Sequence, residues 1–339
     1  MIRAAIFGCQ GTRLEPQERQ FFAETNPLGF ILFGRNCQTP DQVRHLVDDL
    51  RNCVGRADAP VLIDQEGGRV QRLKPPHWRD APAAALFSRL AENDLDRAIE
   101  AARLNASLIA RELFDLGITV DCAPVADVLQ VNADPIIGDR SYGLDPVIVT
   151  ALAGAVCDGL LDGGVLPVVK HIPGHGRADV DSHLKLPVVS ASMADLQETD
   201  FAPFAALASR PWAMTAHVIY QAIDGDCPAT TSAKVIDVIR DQIGFTGILL
   251  SDDLSMQALS GDMARRTRDC LAAGCDVVLH CNGKMDEIVA VAGACSALSD
   301  SAAARIDRGE ALRRDQLVTE QQAPVEAVRR LQLLLEGKD

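Results

Sequence analysis

The chain has 339 residues, 47% hydrophobic and 24% charged, a globular balance with room for one large domain or two ordinary ones. Its formal charge of −14 and pI of about 4.9 argue against nucleic acid or an anionic membrane as partner, because both demand a basic surface. No apolar run approaches the ~18–20 residues of a membrane span, and the N-terminal stretch 2–7 is too short for a signal peptide, so a soluble cytoplasmic protein is expected.

In chain order, short apolar runs alternate with stretches of helical spacing. The run 2–7 precedes a helical segment 16–25. The run 29–33 precedes a helix opened by Thr39-Pro-Asp-Gln42, which combines an N-cap threonine, a proline at the first helical position and a capping-box glutamine. The run 61–63 leads through a long connection to a helix over about 95–114, where Leu104, Leu108, Ile109 and Leu113 share a face. Further runs are expected at 118–123, 165–170, 213–216, 248–250 and 277–279. Helices are expected over about 147–161, 193–208, 233–243 and 262–273, and from Met285 onward. Eight continuous apolar runs alternating with helices read as buried parallel strands, either in a barrel or in an open doubly wound sheet.

The polar residues favour the barrel. Asp64, Asp121, Asp127, Lys170, His171, His217, Asp252, His280 and Asn282 follow the ends of successive strands. A ring of functional groups at the C-terminal strand ends is the pattern of an α/β fold of the (β/α)8 TIM-barrel kind, whereas an open sheet gathers them at one switch point. We therefore expect a single (β/α)8 domain spanning 1–339, with C-terminal helices (about 303–336) packing on the barrel. Gly67-Gly68 lacks the spacing of a nucleotide fingerprint, so no cofactor is expected. The ten cysteines form no CxxC or CxxxC pair and read as small buried thiols, not as a metal or redox motif.

The densest polar segment is Lys170-His-Ile-Pro-Gly-His-Gly176, continuing to His183, and it holds three of the seven histidines. His171 and His175 have HxxxH spacing, but Ile-Pro-Gly between them cannot be a helix presenting both to a metal, so no metal is expected. Asp181 and His183 can form a dyad in which the carboxylate fixes the imidazole as a general acid or base; an ordinary loop hydrogen bond is the alternative. In Ile248-Leu-Leu-Ser-Asp-Asp253, an apolar strand ends in two carboxylates, and Asp252 suits a covalent nucleophile. Spacing alone does not choose between Asp252 and Asp253, and either can cap a helix or pair with a cation. Asp64 can accept hydroxyl hydrogen bonds and Arg72 can donate a bidentate pair, with surface ion pairing as the alternative. Arg140 lies in a long barrel-top loop, where a solvated arginine is the alternative.

Together these segments resemble glycoside hydrolase family 3, specifically its single-domain bacterial β-N-acetylglucosaminidases of peptidoglycan recycling. The resemblance is carried by DQEGGRVQRL (64–73), GDR (138–140), KHIPGHG (170–176), DSH (181–183), MTAHVIY (214–220) and SDDLSM (251–256). It implies a retaining hydrolase with Asp252 as nucleophile, His183 as acid/base and Asp181 as its partner. It also implies that Asp64, Arg72, Arg140, Lys170 and His171 hold a terminal N-acetylglucosamine. Ile172 departs from the phenylalanine often found in the family, which should alter packing and not chemistry. The implied substrate is a small carbohydrate, N-acetylglucosamine linked to 1,6-anhydro-N-acetylmuramic acid with or without peptide. A monomer is expected. A glycoside phosphorylase on the same scaffold and a catalytically silent sugar-binding protein are the competing functions.

Overall fold

The computed structural model describes residues 1–131, 136–178, 180–182, 185–318 and 323–338. Eight parallel strands close into a barrel: β1 (Arg3–Gly8), β2 (Pro27–Leu32), β3 (Val61–Ile63), β4 (Val120–Asp121), β5 (Leu166–Ile172), β6 (Trp212–Thr215), β7 (Ile248–Asp253) and β8 (Val277–His280). Each strand pairs with its sequence neighbours, and β8 returns to β1 with Ala5 opposite Val278 and Phe7 opposite His280. Parallel closure leaves the barrel without an edge and requires a crossover between strands, which explains the helix after nearly every apolar run.

The period of two along each strand divides the core. Ile6, Ile31, Leu62, Val120, Val168, Met214, Leu250 and Leu279 fill the barrel interior, while their neighbours Phe7, Phe30, Ile63, Val169, Ala213 and Leu249 pack outward under the helices. Continuing that alternation past the apolar residues sorts the polar ones at the strand ends. Asp64, Lys170 and Asp252 extend the inner rows, and Asp121 extends an outer one.

The helices follow their sequence signals closely. Pro40–Val54 begins with the Thr39 hydroxyl accepting from the Gln42 N–H and ends at Gly55. The expected capping box is not closed, because the Gln42 carboxamide accepts from the Gln38 N–H instead and donates to the carbonyls of Thr12 and Asn36. It ties the helix start to the loops above β1 and β2. Leu95–Asp115 buries Leu108, Ile109 and Leu113. The stretch expected to be helical at 193–208 is interrupted by a wider π turn at Leu196–Asp200, and that at 233–243 ends in one at Val238–Gln242. Asp300–Gln316 runs beneath the barrel floor, where Ala302, Ile306 and Leu312 join the interior cluster with Leu166 and Trp212. Pro324–Leu335 packs on Leu95–Asp115 through Ala327, Leu331 and Leu334. All ten cysteines are unbridged and seven are buried, so they serve packing.

Candidate active site

β3 ends at Ile63, and the next three residues put two carboxylates over the barrel mouth. Asp64 accepts from Lys170 Nζ at 2.9 Å and from Arg72 Nη2 at 3.0 Å. Glu66 accepts from Arg140 Nε and Nη2, both at 2.8 Å, and lies 2.6 Å from Lys170 Nζ. The Lys170 side chain is 2% exposed, a costly place for an ammonium unless it is paired. Burial works against each of these charges, but the opposite charges beside them win. Glu66 is held down at about 2 by Lys170 and Arg140, Asp64 lies well below the usual carboxylate range, and Lys170 is pushed up by both carboxylates. Three cations face two carboxylates, so the cluster is ionised throughout the neutral range and carries a single positive excess. The Arg72 guanidinium also lies 5.1 Å from the centre of the Phe33 ring.

The segment after β5 is organised by Asp127, which is fully buried. Its Oδ2 meets His171 Nδ1 at 2.7 Å, and its Oδ1 accepts the backbone N–H groups of His171 (3.1 Å) and His175 (2.7 Å). One carboxylate thereby fixes both the imidazole of His171 and the turn that follows. Burial alone would raise the Asp127 carboxyl, but the two histidines hold it below its usual value. Two glycines let this turn fold back. Gly174 has φ +135°, and a Cβ on Gly176 would stand 1.8 Å from the Val128 carbonyl oxygen. The turn, not a helix, brings the His171 and His175 rings to a centroid distance of 5.6 Å. His175 is pushed down to about 4, first by burial and then by His171, so it is a neutral imidazole at pH 7. Its Nε2 contacts Ser182 Oγ at 3.2 Å, a contact with the DSH segment itself. Asp181 is half-buried, and its carbonyl accepts from the Lys185 N–H. His183 lies outside the described residues.

β7 presents its two aspartates differently. Asp252 lines the cleft, and its Oδ1 accepts the Asp253 N–H at 2.7 Å. The Asp253 carboxylate is occupied by the Ser255 N–H and hydroxyl and by the Cys281 N–H, which bind the strand end to its own turn and to β8. The Asp253 carbonyl in turn accepts from His217 Nε2 at 3.0 Å. A carbonyl can only accept, so Nε2 carries the proton, while Nδ1 lies 2.7 Å from the Thr230 hydroxyl, which also faces the Ala216 carbonyl at 3.1 Å. Burial lowers His217 further, leaving a neutral histidine that steadies the strand end.

One cleft joins these elements. It brings Asp64, Arg72, Arg140, Lys170, His171 and Asp252 together, and adds Glu66, His175 and Ser182, which are not among the residues expected to hold or cleave the sugar. Glu66 had a usable signal, since it is the second carboxylate within three residues of a strand end. Asp127 had a weaker one: its partners are 44 and 48 residues away and meet it only through the fold. His280 and Asn282, expected among the ring of polar residues, turn instead to Glu287 at 3.0 and 2.7 Å.

Comparison with known proteins identifies the family. Residues 7–314 match the glycosyl hydrolase family 3 N terminal domain. A protein named beta-hexosaminidase from Alkalilimnicola ehrlichii is 40% identical over 287 residues, covering 83% of this chain and 81% of its own. A beta-hexosaminidase from Pseudomonas aeruginosa is 36% identical over 285 residues, covering 83% of each. Among solved structures, native NagZ from Neisseria gonorrhoeae superposes with a TM-score of 0.87 at 31% identity, covering 98% of both chains. The same protein has also been solved in complex with N-trifluoroacetyl-D-glucosamine. An eight-stranded barrel, a charged cleft at its C-terminal mouth and matches of this extent place the chain in glycosyl hydrolase family 3, among its single-domain β-N-acetylhexosaminidases.

Proposed function

We propose that the protein is a retaining β-N-acetylglucosaminidase that removes terminal non-reducing N-acetylglucosamine from cell-wall muropeptide fragments, including those ending in 1,6-anhydro-N-acetylmuramic acid. The observation that carries this reading is the placement of Asp252. It extends the inner row of β7 into a cleft whose other wall is the Asp64–Glu66–Lys170–Arg140 cluster. Sugar hydroxyls need both donors and acceptors, and a cluster of ionised groups already locked in place supplies both without reorganisation. Asp64, Arg72, Arg140, Lys170 and His171 hold the non-reducing sugar in this reading.

In the first step the Asp252 carboxylate attacks the anomeric carbon. The bond to the glycosidic oxygen breaks, and His183 as imidazolium gives that oxygen its proton. Asp181 stabilises the imidazolium. In the second step His183, now neutral, takes a proton from water as the oxygen attacks the same carbon, releasing Asp252 and free sugar with net retention. Most retaining glycosidases do this with two carboxyl groups ~5–5.5 Å apart; here one of the pair is an imidazole. The enzyme works as a cytoplasmic monomer in this proposal, on a small soluble carbohydrate.

The test is product analysis with a chromogenic N-acetyl-β-glucosaminide. Release of β-N-acetylglucosamine, and a mass increase on the peptide containing Asp252 after trapping with a slow fluorinated substrate, is the expected result. An α product, or label on another residue, overturns the mechanism. In phosphate buffer, sugar 1-phosphate in place of free sugar would make the enzyme a phosphorylase.

A further inference from the structure

Between the two carboxylates of the ion cluster sits Gln65, 1% exposed and absent from the lining of the charged cleft. Its backbone N–H donates to Asp121 Oδ1 at 2.9 Å. Its Oε1 accepts the backbone N–H groups of Arg72 at 2.8 Å and Leu73 at 3.0 Å, and its Nε2 donates to the Leu73 carbonyl at 3.0 Å. Four bonds thus converge on one residue, and they hold the backbone on either side of the site side chains Asp64, Glu66 and Arg72. Three of them fix the distance between the 64–66 segment and the 72–73 segment.

Asp121 is an unusual anchor for this arrangement. It ends β4 on the outward row, directly beside Ile63 in the sheet and fully buried. Its Oδ1 has the single Gln65 N–H, and among the described residues Oδ2 meets no donor. Burial pushes its carboxyl up to about 7 against the lowering effects of the Gln65 N–H and Lys170. A carboxyl so placed costs stability, and an apolar side chain would pack there at less cost. What the carboxyl adds is an acceptor aimed at the one N–H between Asp64 and Glu66.

We propose that Asp121 and Gln65 are positioning residues of the sugar-binding cluster: Asp121 fixes the strand end that carries Asp64 and Glu66, and Gln65 ties Arg72 to that strand end. The inference rests on the reading of the cleft as an N-acetylglucosamine site. Neither side chain touches the sugar in this scheme. They act by keeping Asp64 within 2.9–3.0 Å of both Lys170 and Arg72, distances at which a displacement of a few tenths of an ångström weakens a charge-assisted hydrogen bond.

The test uses full-length protein and four variants, with melting temperature, affinity for free N-acetylglucosamine by calorimetry, and KM and kcat on a chromogenic N-acetyl-β-glucosaminide. Gln65→Leu and Asp121→Leu should each weaken sugar binding about tenfold and raise KM in proportion, with kcat changed by less than about threefold. Asp121→Asn keeps an acceptor oxygen for the Gln65 N–H and should restore most of the affinity that the leucine variant loses. Gln65→Glu keeps both accepted bonds but loses the donated one, and should fall between wild type and Gln65→Leu. Folded leucine variants with wild-type affinity overturn the proposal, as does Asp121→Asn losing as much as Asp121→Leu. If the leucine variants do not fold, the conservative pair decides. Weakened Gln65→Glu beside near-normal Asp121→Asn supports positioning, and the reverse order overturns it. Wild-type protein that fails to bind N-acetylglucosamine would instead overturn the sugar-site reading, and that control is read before any variant.

Discussion

On the β3-to-β5 side of the cleft, Asp64, Glu66, Lys170, Arg72 and Arg140 pair with one another through charge-assisted contacts of 2.6–3.0 Å. On the β6-to-β8 side, the strand end is steadied by neutral groups: the Asp253 carboxylate takes backbone N–H groups and a serine hydroxyl, and His217 is an uncharged donor to the Asp253 carbonyl. The difference has chemical content. A wall of mutually paired ions is stiff and already desolvated, which suits recognition. A strand end secured by neutral donors holds the Asp252 backbone in place, which suits a carboxylate that must meet an electron-poor carbon in a fixed orientation.

Separating the two sides by mutation is the sharpest check of that division. Asp252→Ala should cut hydrolysis by at least about 10⁴-fold while affinity for N-acetylglucosamine changes only a few-fold, measured by turnover and calorimetry on the same preparation. Parallel collapse of both would show that the walls are not separable. His183→Ala should cost about 10²–10⁴-fold on substrates with a poor leaving group and far less on those that need no protonation. Equal losses across a leaving-group series would remove His183 from the acid role.

Lys170→Met strikes the opposite wall. It leaves Asp64 and Glu66 facing each other with less compensation in a buried site, and should destabilise the fold by about 3–5 kcal/mol in urea unfolding, besides weakening sugar binding. Stability unchanged in Lys170→Met would mean that the network is not desolvated as its burial indicates. The smallest effect concerns His175. Its folded value of about 4 lies below the unfolded 6.5, so its contribution to stability is present above pH 6.5 and is lost as pH falls through about 4. His175→Gln should therefore flatten the decline in stability over that window, by up to about 3 kcal/mol at its acid end. A decline as steep as wild type would place the proton elsewhere.

Much of this was legible in the residues. Runs such as 61–63 and 248–250 mark strands because a parallel barrel buries both faces, and Thr39-Pro40 marks a helix start by chemistry confined to four residues. The period of two along a strand distinguishes Asp252 from Asp253, once Ile248 and Leu250 are known to face inward. Spacing without that parity leaves the two tied. What was not legible depends on contacts remote in sequence. Gln42 reaches Thr12, 30 residues away, because the loop after β1 passes beside it. Glu66 needs Arg140, 74 residues away, to become part of a site. The π turns at Leu196–Asp200 and Val238–Gln242 have no local composition signal that we can identify.

The helix Asp300–Gln316 under the barrel floor carries a kinetic consequence. With Trp212, Leu166 and Ala302 filling the base, the axis is a closed well, and traffic to Asp252 passes through its upper rim. The departing fragment must clear that rim before an acceptor can come in, so the proposed reaction is sequential in space as well as in time. Any small alcohol waiting at the rim then queues with water for the same sugar. Adding methanol should divert product toward the methyl glycoside in proportion to its concentration, without slowing the first step. A product mixture indifferent to methanol would mean that water reaches the intermediate by a private route.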